Sequence, residues 1–385
     1  MGEAQRLSPE EQIRFAREGF EAGTDFTVAV EEEFAILDPR THGLVNRFEE
    51  LKAAVLGTDL EGQLVGELIA SEVEVRTGRC ETFVEAAATM AERRRQLLEL
   101  AGRFDVALCS AGTHPWSPWQ EQRIIDTPHY RRNDELLRYV VWRNNTFGLH
   151  VHVGISGADR AIAVHDALRS FLPELLALSA SSPFVEDVDT GLHSSRTEIF
   201  TRMFPRCGVH EPFGNWDTYA EFADFLAEMN SIEEHTQLWW SVRPHHDFGT
   251  VEFRICDAQT RAEDSTALAG LIVACIAQAA LDYDDGTLPE PAQGRYIEEN
   301  MWRAIRHGME GRMIDFDRRE EFDARAIPDR LLTWTAPARA QLGIDPALPE
   351  EYGVQRQRRA GGLREAFAAE VDLTHVTYAR EGVAT

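Results

Sequence analysis

Hydrophobic and polar positions alternate in four short stretches of this chain, and each stretch reads as a strand with one apolar side and one charged side. They are Val28-Ala29-Val30-Glu31-Glu32-Glu33-Phe34, Ser71-Glu72-Val73-Glu74-Val75-Arg76, His150-Val151-His152-Val153 and Thr250-Val251-Glu252-Phe253-Arg254-Ile255. Successive strand residues point to opposite faces. Glu31 and Glu33 therefore share a face, as do Glu72, Glu74 and Arg76, then His150 and His152, then Glu252 and Arg254. The opposite faces carry Val, Phe and Ile and suit a core.

Between these stretches the spacing turns helical. Ser8-Pro9-Glu10-Glu11 opens a helix that runs to Phe20, with a capping hydroxyl, Pro in the first turn and acids at the positive end of the dipole. Val45 to Leu56 reads as a helix, and Glu67 to Thr77 carries the second strand. Glu81 to Phe104 is a long amphipathic helix, with Arg93-Arg94-Arg95 assigned to its wet side. Val106 to Ser110 is a short strand. Asn133 to Trp142 and Arg160 to Ser179 are helical, with Pro173 placed to kink or split the latter. Residues 181–215 read as a long irregular loop, a length that usually marks a lid or binding loop. Asp217 to Met229 is helical, and Asp264 caps an apolar helix to Leu281. A linker falls at 282–291, and the remainder to about Ala379 is mostly helical. Strands separated by helices give an α+β or α/β class. The charged sheet face favours an antiparallel sheet with one face open to a cleft, because parallel sheets are covered on both sides.

Composition adds limits. The 385 residues are 43% hydrophobic and 27% charged, within reach of one large domain. A formal charge of −26 repels nucleic acid and anionic membranes, so neither is an expected partner. Five cysteines without a Cys-x-x-Cys pair exclude a disulfide framework and fit a reducing cytoplasm. The longest apolar run, 267–277, is shorter than a membrane span and reads as buried helix. No signal-peptide pattern opens the chain.

The candidate chemistry sits on the charged strand faces. Glu31 and Glu33 lie ~6–7 Å apart along one strand face and suit one clamped cation or two neighbouring ones. Glu74 and Arg76 read equally well as a cross-strand salt bridge. Glu67 precedes them and reaches the same cleft or the surface. His150 and His152 face one way and suit ligation or substrate contact. Two His and a Glu also fit zinc, but the excess of carboxylates favours Mg2+ or Mn2+. Arg254 offers a two-pronged contact to phosphate or carboxylate, or an internal ion pair with Glu252. The loop from Ser181 to Arg196 has the hydroxyls, glycine and arginine of an anion loop. Walker A, Rossmann glycine and nucleophile-elbow patterns are absent.

Taken in order, Val30-Glu31-Glu32-Glu33-Phe34, Glu72-Val73-Glu74-Val75-Arg76-Thr77, Gly148-Leu149-His150-Val151-His152-Val153-Gly154, Ser181-Ser182-Pro183 through Asp189-Thr190-Gly191 to Arg196, and Gly249-Thr250-Val251-Glu252-Phe253-Arg254 resemble the glutamate–cysteine ligase type 2, or carboxylate–amine ligase, family. The likeness extends through Asn300-x-Trp302-Arg303-Ala304 and Arg306-His307-Gly308. It implies a glutamine-synthetase-like fold, a curved and mainly antiparallel sheet forming a half-barrel funnel with helices outside. The whole chain is then one catalytic domain: an N-terminal helix to residue 22, a catalytic part over 25–281 and a helical part over 295–380. The resemblance further implies amide formation, γ-glutamyl in type, from a carboxylate and an amine with ATP as co-substrate and Mg2+ (or Mn2+), and a homodimer. It places Glu31, Glu33, Glu67, Glu74, His150, His152 and Glu252 at metal positions. Arg196 and Arg254 fall where charge on the transferring group is held, and Arg76 is grouped with them for nucleotide binding. Where the family pattern has Trp-Glu-Gly this chain has Val185-Glu186-Asp187, so the resemblance leaves donor and acceptor open. A guanidino-kinase-like phosphotransferase and a non-catalytic nucleotide or amino-acid sensor are the alternatives.

Overall fold

The computed structural model describes residues 9–376. The predicted cap at Ser8 and the last residues of the predicted C-terminal helical part lie outside that range. Seven strands form one sheet: β1 (Val28–Leu37), β2 (Leu64–Val65), β3 (Glu72–Arg76), β4 (Ala107–Cys109), β5 (Gly148–Gly154), β6 (Val242–His245) and β7 (Thr250–Asp257). Their order is β6-β7-β5-β1-β3-β2. β4 takes over the β5 side of β1 from Ala35 onward, where β5 has ended. Every pairing is antiparallel, and the sheet does not close on itself. Ladder partners set the chemistry: Glu31 lies opposite His150 on one side and Arg76 on the other, Glu33 opposite Glu74, and Glu252 opposite His152. The β5–β7 register slips between Phe253 and Cys256, a bulge that takes in Arg254.

Helices pack around the sheet, most of them on its apolar face. They include α1 (Pro9–Glu21), α2 (Phe83–Arg103), α3 (Ala158–Leu168), α4 (Leu172–Ser179), α5 (Ser195–Met203), α6 (Trp216–Glu228), α7 (Ala262–Asp284), α8 (Gly294–His307), α9 (Gly353–Arg359) and α10 (Leu363–Val376). Val30, Val151, Val153, Val251 and Phe253 from the strands share one buried cluster with Ile162, Leu176, Leu271 and Ile272. A second cluster joins Phe34, Ile36, Val73 and Val75 to Leu97 and Leu100 of α2. Phe367 and Val371 of α10 pack on Ala35, Leu37 and Cys109, so the C-terminal helices close over the β4 end of the same sheet.

Several expectations change. Pro173 splits its segment, with a 3-10 turn at Arg169–Phe171 between α3 and α4. The helix expected at 133–142 starts earlier and breaks at Arg138, giving Pro128–Leu137 and Tyr139–Trp142. Residues 181–215 are not uniformly irregular: α5 lies inside them, capped by Ser194, whose hydroxyl accepts from the Thr197 N–H. Phe184–Val185 and Val188–Asp189 form a small hairpin there. Asp264 does not cap α7; it lies in the first turn and pairs with Arg356 at 3.2 Å. The C-terminal part includes a hairpin, Arg312–Asp315 with Glu320–Asp323. Arg94 is not on a wet face. It is fully buried, 3.0 Å from Glu32 Oε1, and also donates to the carbonyls of Gln259 and Thr260. α7 has the length and composition to cross a membrane, yet 89% of its most apolar stretch is buried inside the protein, as expected of a core helix.

Candidate active site

The polar sides of β1, β3, β5 and β7 meet in one place. His150 Nδ1 lies 3.4 Å from Glu31 Oε2, and its Nε2 lies 3.7 Å from Glu33 Oε1. His152 Nε2 lies 3.6 Å from Glu31 Oε2 and 3.7 Å from Glu252 Oε1. Three sets of ligand atoms, each within 4.8 Å of one another, lie along this face: Glu31 with Glu74 and His150, Glu31 with His152 and Glu252, and Glu33 with Glu67 and Glu74. Glu67 thus joins the cluster from the loop before β3. Glu31 and Glu74 belong to two sets each, so neighbouring ions would share carboxylates.

Burial makes this arrangement costly without cations. Burial, then the charges of Glu31, Glu67 and Glu33, pushes the Glu74 carboxyl well above its ordinary value. Glu72 is pushed up in the same way by burial and by Glu33 and Glu67. Burial also pushes Glu31 up, but His152 and His150 more than reverse it and hold the carboxyl well below its usual range. Burial lowers the His152 imidazole, yet Glu252 and Glu31 together bring it above its ordinary value. Glu74 Oε2, Glu72 Oε2 and His152 Nε2 are buried without a hydrogen-bond partner. Carboxylate oxygens in excess, two imidazoles and these orphaned atoms fit hard divalent cations.

The arginines divide the face. Arg254 Nη1 donates to Glu252 Oε1 at 2.5 Å, so the internal ion pair foreseen as an alternative is present. Glu252 Oε2 accepts from Arg243 Nε at 2.6 Å. These two guanidiniums and His152 outweigh burial and hold the Glu252 carboxyl well below its usual range. Arg196, from the first turn of α5, donates to the carbonyls of Ile255 and Arg254 at 3.1 and 3.2 Å. It passes over Gly148, where a Cβ would run into its guanidinium, which gives that glycine its reason. Asp257 accepts from the Ser181 N–H and from the hydroxyls of Ser182 and Ser194, so the end of β7 ties down the loop that carries Arg196. Arg76 lies 3.7 Å from Glu74 Oε1 and lines a cavity of about 400 Å³. Glu31, His152, Arg79, Phe248 and Thr250 line the same cavity.

All ten residues singled out in the sequence therefore border this face. Two others were missed. Arg243 comes from a short strand that contains Pro244, a poor strand signal, and only its place opposite Glu252 reveals it. Glu72 shares the alternation of Glu74, which was the available signal.

Residues 27–362 match the model of glutamate–cysteine ligase family 2. The chain belongs to that family. It is therefore an ATP-dependent ligase that joins a carboxylate to an amine. A Rubrobacter xylanophilus protein named "Putative glutamate--cysteine ligase 2-2" is 36% identical over 370 residues, 94% of each chain. A "Putative glutamate--cysteine ligase 2" of Sorangium cellulosum is 38% identical over 355 residues, 90% of this chain and 94% of its own. Among solved structures, the Francisella tularensis glutamate–cysteine ligase in complex with AMP is similar at TM-score 0.62 and 12% identity. That match covers 94% of this chain and 90% of that one. The bifunctional glutathione synthetase from Pasteurella multocida is similar at TM-score 0.64 and 13% identity over 96% of this chain, which spans 54% of that longer protein. These likenesses place the family 2 chain in the glutamine-synthetase-like fold, with helices packed around an unclosed, mainly antiparallel sheet.

At the variant position Val185-Glu186-Asp187 the hairpin turns through two residues at positive φ, Glu186 at 54° and Asp187 at 63°. Glu186 pairs with Arg143 at 2.7 Å. The turn is held by charge where the pattern would place a glycine.

Proposed function

We propose that this family 2 ligase forms a γ-glutamyl amide, using Mg2+ and ATP, and that the whole chain acts as one catalytic unit. The observation that carries this reading is the overlap of three ligand sets along one buried sheet face, sharing Glu31 and Glu74. A carboxylate is a poor electrophile, and phosphorylating it with ATP gives an acyl phosphate that an amine can attack, with release of phosphate. Bound Mg2+ supplies positive charge where the two anions, carboxylate and triphosphate, must meet. Glu31, Glu33, Glu67, Glu74, His150, His152 and Glu252 would hold the ions. Arg254 and Arg196 hold charge on the transferring group. Arg76 reaches nucleotide phosphate from the wall of the cavity beside Glu31. The ion pair of Arg254 with Glu252 fixes the guanidinium before substrate arrives, which is the preorganisation such a contact needs.

The test is turnover of ATP with Mg2+, glutamate and a library of amines, read by mass spectrometry. ADP and phosphate in equal amounts with a γ-glutamyl amide is the expected result. A phosphorylated product without free phosphate would establish a phosphotransferase instead, and nucleotide binding without turnover would establish a sensor. An amide built on another acid would keep the ligase and replace glutamate.

A further inference from the structure

Among the helices behind the sheet, α3 and the segment leading into α6 bring His165, Asp166 and His210 together. None of them belongs to the carboxylate face. Their ligand atoms lie within 4.8 Å of one another, and all three residues are more than nine-tenths buried.

The hydrogen bonds around them leave lone pairs bare. His210 Nδ1 lies 2.7 Å from the Glu211 carbonyl oxygen, which only accepts, so Nδ1 carries the proton and Nε2 is unprotonated. That Nε2 is buried without a partner. Asp166 Oδ2 accepts from the N–H groups of Phe213 and Gly214 at 2.8 and 2.7 Å. Its Oδ1 is buried without a hydrogen-bond partner, 3.2 Å from His165 Nδ1. His165 is fully buried and hydrogen-bonds through neither ring nitrogen. A histidine anchored by Nδ1–H on a carbonyl, beside a carboxylate anchored by backbone N–H groups, is the outer-shell pattern that orients metal ligands. Without a ligand, the Nε2 atoms of His165 and His210 stand as buried losses, and His165 Nδ1 and Asp166 Oδ1 have only each other at 3.2 Å.

We propose that His165, Asp166 and His210 form a second divalent-metal site of zinc type, which ties the segment before α6 to α3. Two imidazoles and one carboxylate match Zn2+ or Co2+, not Mg2+. The two rings are stacked, 4.1 Å apart and 3° from parallel. One ring nitrogen of each lies within 4.8 Å of the other and of an Asp166 oxygen, within reach of one ion. Arg169 has Nε and Nη2 without partners and is drawn by the charges of Asp166 and Glu211.

The experiment strips the full chain of metal and reloads it with Zn2+ in excess Mg2+, which competes for the carboxylate face. Unbound metal is removed and retained zinc is measured by mass spectrometry. One zinc per chain is expected in the unaltered protein and in Glu31→Gln, with less than a tenth of that in His210→Gln. Asp166→Asn is the second variant, since its amide oxygen can still accept from Phe213 and Gly214; it too should lose the zinc. Circular dichroism checks that each variant folds. Reloading with Co2+ should give visible absorption bands that both variants lack. No retained zinc in the unaltered protein, or zinc retained in both folded variants, would overturn the site. Zinc lost from Glu31→Gln and kept in His210→Gln would assign it to the carboxylate face and also overturn the proposal. None of these readouts depends on ligase activity.

Discussion

Glu32 points from β1 into the core, where Arg94 meets it at 3.0 Å; Glu31 and Glu33 point the other way, among two histidines and further carboxylates. The three are consecutive in sequence and all largely buried. On the back of the strand one negative charge faces one positive charge, and the pair locks β1 to the turn after β7 through Gln259 and Thr260. On the front, carboxylates outnumber the cations near them and gather into three overlapping ligand sets. A buried charge that is internally paired serves the fold, whereas a surplus of one sign held in place prepares a site for something from outside.

The comparison can be broken most forcefully from the back. Arg94→Met strands Glu32 in the core and should cost about 3–5 kcal/mol of stability, measured by urea unfolding. The loss should be the same with and without Mg2+. If Mg2+ restores it, the two faces are not separate. From the front, Glu31→Gln should lower ADP release by roughly 10²–10³-fold, the scale for removing one group that stabilises transition-state charge. Folding should stay intact. A variant that keeps full rate and full Mg2+ dependence takes that residue out of the site. Arg254→Lys keeps the charge but loses the fork, and should lower turnover by about one to two orders of magnitude. A rate within twofold of the unaltered enzyme would reduce Arg254 to a partner of Glu252.

The smallest effect is the most diagnostic of the surplus. Glu72 and Glu74 have carboxyls raised well above 4.5 in the folded chain, by burial first and neighbouring carboxylates second. Without metal, their contribution to stability is therefore full below pH 4.5 and is lost as pH rises through their folded values. Mg2+ would bind ionised Glu74, which belongs to two of the ligand sets, and its charge would favour ionised Glu72 beside it. Its stabilising effect should grow with pH, by up to about 1.4 kcal/mol per pH unit for each proton released. Thermal melts with and without Mg2+ across that range check it. A Mg2+ effect that shrinks as pH rises would contradict the assignment.

Much of this was legible in the chain because strand alternation is local. The period of two put Glu31 with Glu33 and His150 with His152 before any partner was known, and the fold needed only to bring the four strands side by side. Arg94 was misread for the complementary reason: three consecutive arginines on an amphipathic helix look solvated, and nothing nearby in sequence announces Glu32, 62 residues earlier. α5 hid inside a stretch rich in Ser, Gly and Asp, although Ser194 followed by Thr197 and Glu198 was a readable helix start. Arg243 escaped because its strand is short and carries a proline. What sequence withheld was tertiary pairing, which decides whether a charge is spent inside the fold or kept for a ligand.

The sheet's outer strands have a consequence for how the molecule behaves among its own copies. A site built on a sheet leaves part of one face open, and an unclosed sheet invites neighbouring chains to add strands along its rim. Here one rim, β2, is two residues long and the other, β6, carries Pro244 in its ladder. Neither presents a run of free amide groups long enough to template aggregation, so that face can stay open at high protein concentration without the chain polymerising edge to edge.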